Sequence, residues 1–374
     1  MDEVKPFNVK ATIRSQEAEP ATSAAEGPKQ DDASSYDADL TAYGQKLAQA
    51  MEQSEVHPVL IFGSANSGKS VMLASLLSFL RNNNLGLSAT LISPLLESDS
   101  GVAKEVEINA QQFFNHSVIN FGDGQAPLAT RSRLPFFIPI EAACQSPASG
   151  GSVRVALMES NGESYHPDSK SPRFYSPLTP DVRAFLSVYE HSISVIYVAP
   201  VTQAAVRDGT ASDARRDRAD RRIAEHAIVG AIGAYKATRP EKPIDHHLLL
   251  ASKWDAYGSA DKSGWTLDRI LNDSTAADDV VPFLQNYYKE ALTSFNTKLQ
   301  SARCSIHQYC AGVMNARDLD RGRNQRLRPL LDCYSFDLWN WIHTNASGRS
   351  LTPPLQSRQT LQERLDAFIA RIRN

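Results

Sequence analysis

The feature that most constrains this chain is the eight-residue sequence Gly63-Ser-Ala-Asn-Ser-Gly-Lys-Ser70. This G-x-x-x-x-G-K-S pattern follows an apolar run at 56–62 that predicts a buried strand, and precedes a run at 71–80 that predicts a helix. A glycine-rich turn in this position lets backbone N–H groups close around phosphate oxygens, and the helix N-terminus adds positive potential. The motif therefore predicts a phosphate-binding loop.

Two side chains of this loop have specific expected roles. Lys69 is expected to reach the β- and γ-phosphates of a nucleotide, and the Ser70 hydroxyl is expected to bind Mg²⁺. The alternative is an ordinary glycine- and serine-rich turn between a strand and a helix. The predicted phosphate-loop residues are Gly63, Ser64, Ala65, Asn66, Ser67, Gly68, Lys69, Ser70 and Val71.

The rest of the chain alternates between strand and helix patterns. Helical periodicity is present at 40–51, 214–236, 281–299 and 327–343. Strands are predicted at 136–140, 153–158, 195–199, 248–251 and 305–310. Strands that alternate with helices predict parallel pairing, with helices on both faces of the sheet.

A second motif, Ser252-Lys253-Trp-Asp255, ends the predicted strand at 248–251. It resembles the guanine-recognition motif of Ras-like GTPases, in which the first position is more often Asn. A carboxylate at Asp255 can accept hydrogen bonds from the ring N–H and the exocyclic amine of guanine, a donor pair that adenine lacks. Cys310 and Ala311 resemble the last motif of the family, whose backbone amide faces guanine O6; the alternative is a strand end with small residues.

Two further segments resemble the switch elements of these GTPases. Thr130, in the sequence Pro-x-x-Thr, resembles the switch I magnesium ligand. Glu159 and Gly162 occupy the D-x-x-G positions, with Glu159 as a second magnesium contact and Gly162 facing the γ-phosphate. Glu163 replaces the glutamine that orients water, so the resemblance assigns catalysis to Lys69, Thr130, Gly162 and Glu163. Arg131 and Arg133 are either surface charges or built-in arginine fingers.

These motifs together resemble the TRAFAC class of P-loop GTPases, the Ras-like superfamily, with spacing closer to bacterial GTPases associated with conflict or defence systems. The resemblance implies an α/β three-layer sandwich with insertions, whose mixed, mostly parallel six-stranded sheet has one antiparallel edge strand. It also implies GTP or GDP with Mg²⁺ as ligands, and a protein effector or regulator that binds the switch loops.

The same resemblance and the composition suggest three parts for the chain. Residues 1–36 are polar and poor in aromatics, which predicts a disordered tail. Residues 37–345 form the expected P-loop GTPase domain, with a long insertion at about 85–130. Residues 346–374 form a linker and an amphipathic helix that packs on the same domain or binds a partner.

Charge and hydropathy narrow the functional classes. The chain has 39 basic and 42 acidic residues, for a net charge of −3, which argues against a protein built mainly to bind nucleic acid. No apolar run is long enough to cross a membrane, and a cytoplasmic location is expected. Three hypotheses remain: a slowly hydrolysing GTPase that acts as a molecular switch, a non-hydrolysing GTP-binding scaffold, or a P-loop ATPase or kinase in which Ser-Lys-Trp-Asp is accidental.

Overall fold

The structure is a computed structural model. It describes residues 30–81, 87–92, 94–96, 101–127, 132, 134–144, 151–160, 178–202, 211–239, 243–258, 277–299, 302–314 and 327–351.

One mixed sheet of seven strands dominates the described residues, in the order β2-β3-β4-β1-β5-β6-β7. Only β3 pairs antiparallel with its neighbours, so the other six strands run in the same direction. The strands are β1 (His57–Phe62), β2 (Leu87–Leu91), β3 (Phe136–Cys144), β4 (Ser152–Glu159), β5 (Ser194–Pro200), β6 (His246–Ser252) and β7 (Arg303–Gln308). A separate antiparallel ribbon joins β8 (Gly312–Met314) and β9 (Leu327–Leu330).

Helices connect most of these strands. They are α1 (Gln30–Gln53), α2 (Lys69–Arg81), α3 (Gly101–Gln112), α4 (Val118–Gly122), α5 (Pro180–Val188), α6 (Ala211–Thr238), α7 (Trp254–Gly258), α8 (Ala277–Tyr287), α9 (Lys289–Lys298) and α10 (Asp332–Ser347). A short π-helical segment, Phe113–Ser117, joins α3 to α4.

Helices cover both faces of the sheet. Every residue of β5 and β6 is buried, which requires packing on each side of these central strands. The helices form two groups: α2 packs with α10, whereas α6 packs with α9 and α5, and α1 lies along α5. This confirms the expected mixed, mostly parallel sheet between helices. None of the described helices is long and apolar enough to span a membrane.

The expected six-stranded sheet with an antiparallel edge strand is wrong at that edge. β3 does run antiparallel, but β2 pairs with its outer side from Leu87–Cys144 to Leu91–Ile140. β2 belongs to the predicted insertion, and its buried residues Leu87 and Ala89 pack on the core. The insertion therefore extends the sheet by one strand.

Three helix boundaries also differ from the sequence prediction. The disordered tail was expected to reach residue 36, but α1 begins at Gln30. Tyr36 is 47% exposed, so this part of α1 lies beyond the stripe that is buried against the core. The helix extends there because adding a residue to an existing helix costs less than starting a new one. The run at 281–299 is two helices, because Tyr288 leaves helical geometry and donates to Pro200 O at 2.6 Å. Residues Leu327–Leu330 form β9, not helix, and the predicted C-terminal helix lies outside the described residues.

A buried ion pair holds the amino-terminal ends of β5 and β6, at the end of the sheet opposite the phosphate loop. Arg239, after α6, and Asp245, before β6, have side chains 0% and 1% exposed, and Arg239 Nε lies 2.6 Å from Asp245 Oδ2. The guanidinium also donates to Tyr189 O at 2.6 Å and His191 O at 2.5 Å. Asp245 Oδ1 accepts from the Ile193 N–H at 2.9 Å. These contacts tie the starts of β5 and β6 to the end of α6.

Candidate nucleotide-binding site

The phosphate loop leaves β1 after Phe62 and enters α2 at Lys69. Asn66 and Gly68 have φ values of 59° and 92°, in the left-handed region that glycine tolerates best. Gly63 also requires the absence of a side chain, because a Cβ there would lie 2.8 Å from Ser67 Oγ and 3.2 Å from Val198 Cβ. The glycines of the motif therefore allow a tight turn that presents the N-terminus of α2.

The side chain of Lys69 folds back over this loop and is only 5% exposed. Its ammonium donates to Gly63 O at 2.6 Å and to Ser64 O at 3.0 Å. Burial lowers the pKa of Lys69 to about 8, and the nearby carboxylate of Glu159 partly opposes that shift. The cation therefore sits inside the loop on neutral acceptors, at the position where phosphate oxygens would attract it.

Ser70 and Glu159 meet at the end of the loop. Ser70 Oγ donates to Glu159 Oε1 at 2.5 Å, and Glu159 is 1% exposed at the end of β4. β4 pairs with β1, which brings the carboxylate beside the phosphate loop. A serine hydroxyl and a carboxylate are oxygen donors of the kind that Mg²⁺ prefers, so these residues fit the expected magnesium site.

The second motif lies directly against the phosphate loop. Ser252 ends β6, and its Oγ donates to Ser67 O at 2.6 Å. A Cβ at Gly68 would lie 3.7 Å from Lys253 Cε, so the aliphatic stem of Lys253 passes over the backbone of the loop. Serine stands here in place of the more common asparagine, and it keeps one hydrogen bond between the two motifs.

Asp255 follows in the first turn of α7 and is half-buried. Lys253 has a φ of 57°, and the next residue, Trp254, is fully buried with its ring 5.5 Å from that of Phe283. The indole therefore anchors the segment between Lys253 and Asp255. The motif pattern leaves this position unspecified, so nothing in it predicts the anchoring role of Trp254.

Cys310 and Ala311 lie beside this segment, just after β7. The backbone N–H of Trp254 donates to Tyr309 O at 3.2 Å. Cys310 is fully buried, and its thiol donates to Gly312 O at 3.3 Å. Burial, with Asp255 nearby, raises the pKa of the Cys310 thiol. The structure thus brings the two predicted base-binding segments together at the same edge of the sheet.

The predicted switch residues are only partly described. Thr130, Gly162 and Glu163 lie outside the described residues, as do Arg131 and Arg133. The strand that follows Thr130 is described. Its first residue, Phe136 of β3, pairs with Glu159, so this strand begins beside the candidate site.

A residue of the insertion holds the chain just after Thr130. Asn109 Nδ2 in α3 donates to Ser132 Oγ at 3.1 Å, and Ser132 Oγ donates to Leu134 O at 2.7 Å. No sequence pattern predicts this contact, because Asn109 belongs to no motif and is 23 residues from Ser132.

Comparison with known proteins adds little to this geometry. No family model and no curated protein matches the sequence. Among solved structures, a chain of the signal recognition particle receptor SRb-GTP/SRX complex from Chaetomium thermophilum is similar, with a TM-score of 0.27 and 11% sequence identity. The match covers 67% of this chain and 92% of that chain. The functional conclusion therefore depends on the site itself.

Proposed function

We propose that this protein binds GTP and GDP with Mg²⁺ and hydrolyses GTP slowly as a molecular switch. The observation that carries the proposal is the 2.6 Å hydrogen bond from Ser252 Oγ to Ser67 O. Ser252, the first residue of the Ser-Lys-Trp-Asp sequence, is thereby in contact with the phosphate loop, although the bonded residues are 185 positions apart in sequence. One nucleotide can reach both motifs only if they lie side by side, and the Ser-Lys-x-Asp sequence meets this requirement.

Asp255 is the proposed base-recognition residue. Its carboxylate would accept hydrogen bonds from the ring N–H and the exocyclic amine of guanine, while the stem of Lys253 lies along the base plane. Adenine offers no such donor pair and would leave the carboxylate without compensation for its desolvation. Cys310 and Ala311 would complete the pocket with a backbone amide that faces guanine O6.

Lys69, Ser70 and Glu159 are the proposed phosphate and magnesium residues. Lys69 would leave Gly63 O and Ser64 O and donate to the β- and γ-phosphates. Ser70 and Thr130 would bind Mg²⁺ directly, with Glu159 holding one of its waters. Magnesium in such a site neutralises charge that develops on the phosphate oxygens. Gly162 would donate its amide to the γ-phosphate.

Base selection is the first test. We expect fluorescent GDP to bind more tightly than fluorescent ADP, and Asp255→Ala to lose this preference. Asp255→Asn should shift the preference towards xanthine nucleotides, because xanthine carries an oxygen where guanine carries the amine. Two hydrogen bonds to a carboxylate contribute about 1.5–3 kcal/mol each, so their loss corresponds to about 100-fold or more in affinity.

The Asn variant is also the matched control, since it keeps the size of the side chain. Retained xanthosine diphosphate binding would show that the pocket is intact when GDP binding is lost. Equal affinities of the parent protein for GDP and ADP would contradict the guanine assignment and favour the P-loop ATPase or kinase.

Turnover depends on Glu163. A carboxylate at the position of the water-orienting glutamine has no donor and lies near a highly charged nucleotide, so we expect unassisted hydrolysis at ~10⁻⁴ to 10⁻² s⁻¹. Glu163→Gln should raise the single-turnover rate, because it supplies a donor and removes a negative charge. A lower rate in this variant would instead identify the carboxylate as a working base.

The non-hydrolysing scaffold is the second candidate. It is favoured by Glu159 and Glu163, which stand where the GTPase pattern has Asp and Gln. Single-turnover assays distinguish it from the switch, because a scaffold would bind GTP without converting it. In either case we propose that a protein effector or regulator binds through the loops that carry Thr130 and Glu163.

A further inference from the structure

Tyr309 joins the two base-binding segments through its backbone. It is the residue before Cys310, at the end of β7. Its N–H donates to Ala251 O at 2.7 Å, and its carbonyl accepts from the Trp254 N–H at 3.2 Å. The two strand ends that carry the proposed guanine contacts are therefore tied together at this residue.

The side chain of Tyr309 extends to the phosphate half of the site. The residue is 2% exposed, and its Oη donates to Met72 O, in the first turn of α2, at 3.3 Å. The same Oη lies 2.9 Å from Ser335 Oγ in α10. Ser335 Oγ lies 3.0 Å from Ser75 Oγ, which returns to α2.

These hydroxyls can form a closed circuit in which each donates once. Ser75 donates to Ser335, Ser335 donates to Tyr309, and Tyr309 donates to Met72 O. All three hydroxyl side chains are buried, so water does not compete for their hydrogen bonds. The circuit links the helix that starts with Lys69 and Ser70 to Tyr309, which follows β7 and precedes Cys310.

We propose that Tyr309 is a positioning residue that fixes the separation between the base-binding loops and the phosphate loop. This inference rests on the proposed guanine-nucleotide function. The base and the phosphates of a nucleotide are covalently joined, so both ends bind fully only when their two subsites are held at the matching distance. A hydrogen bond from the end of β7 to the first turn of α2 holds that distance.

A positioning role and a purely structural role of Tyr309 predict different losses of ligand affinity when the residue is changed. If Tyr309 only supported the core, its removal would weaken each subsite or the whole fold. If it sets the separation, each subsite keeps its own affinity, and only a ligand that occupies both is weakened.

Tyr309→Phe tests this difference, because it keeps the ring and removes only the hydroxyl. In Mg²⁺ buffer, unlabelled GDP, guanosine and inorganic pyrophosphate would each displace fluorescent GDP from the parent and the variant. We expect GDP to bind about tenfold more weakly to the variant, the size of one lost buried hydrogen bond. Guanosine and pyrophosphate should be unchanged within about twofold, as expected for independent sites.

Two further variants complete the test of Tyr309→Phe, one as a control and one as a second change in the same circuit. Tyr197→Phe removes a hydroxyl that is equally buried in β5 and lies 3.4 Å from His247 Nδ1, away from the site; it should leave all three affinities unchanged. Ser335→Ala removes the branch of the circuit through α10 but leaves the hydrogen bond from Tyr309 to Met72 O, so it should lose GDP affinity selectively but by a smaller factor than Tyr309→Phe. It also provides the test if Tyr309→Phe does not fold.

An equal loss for all three ligands, or no loss for GDP, would overturn the inference while the parent protein still binds GDP. Failure of the parent to bind GDP would overturn the proposed function, and this inference with it.

Discussion

Lys69→Ala is expected to abolish nucleotide binding, with a loss of about 100-fold or more, because hydrogen bonds to charged groups each contribute about 1.5–3 kcal/mol. The ammonium is buried within the phosphate loop and has two backbone acceptors, Gly63 O and Ser64 O, in the absence of phosphate. Titration with fluorescent GDP in Mg²⁺ buffer measures the loss. Binding at the affinity of the parent protein would place the nucleotide site elsewhere.

The same residue provides a control for folding. A lysine with a folded pKa of about 8, below the ordinary 10.5, is protonated more readily in the unfolded chain. At neutral pH it therefore lowers the stability of the nucleotide-free protein, and this penalty disappears as the pH rises from 8 towards 10.5. Lys69→Met keeps the packing of the stem and should unfold at a higher urea concentration than the parent at pH 7, with a smaller difference at pH 10.

Arg239→Ala is expected to lower the free energy of unfolding by about 3–5 kcal/mol, the usual cost of leaving a buried charge without its partner. The guanidinium and the Asp245 carboxylate are excluded from water, and both form hydrogen bonds with the backbone before β5. Urea denaturation followed by circular dichroism measures the change.

An exposed pair in the same sheet is the matched control. Arg154 Nε and Glu141 Oε2 are 3.8 Å apart, and their side chains are 48% and 36% exposed. Arg154→Ala should cost less than about 1 kcal/mol, because water screens such pairs. The double variant Arg239→Met, Asp245→Leu should be more stable than Arg239→Ala, since it leaves no buried charge. Equal costs for Arg239→Ala and Arg154→Ala would contradict the structural role of the buried pair.

The sequence predicted the central elements well because their signals are local. A buried strand, a glycine-rich turn and a helix occur within 25 residues of one another at 57–81, and their order follows from periodicity and turn chemistry alone. The proximity of Ser252 to the phosphate loop is consistent with the predicted parallel pairing, since parallel strands deliver their carboxyl ends to the same end of the sheet.

The remaining features depend on contacts between distant residues. The break at Tyr288 coincides with the hydrogen bond from its hydroxyl to Pro200 O, and an apolar stripe that continues through both helices conceals it. β9 is a strand only because Gly312–Met314 lies beside it. The circuit through Tyr309 likewise joins α2, β7 and α10, whose serines are indistinguishable in sequence from ordinary polar residues.

The extra strand β2 changes which parts of the sheet another chain can extend. β3 has hydrogen-bonded neighbours on both sides, so a partner cannot pair its backbone with β3. Among the described residues, the two outer strands of the main sheet are β2 and β7. A strand added at β2 would be separated from β4, which carries Glu159, by both β2 and β3. Of the two outer strands, β7 is the one on the side of the proposed base-binding segments. Strand addition at the β2 side would therefore bring a partner to the sheet without bringing it to the proposed nucleotide site.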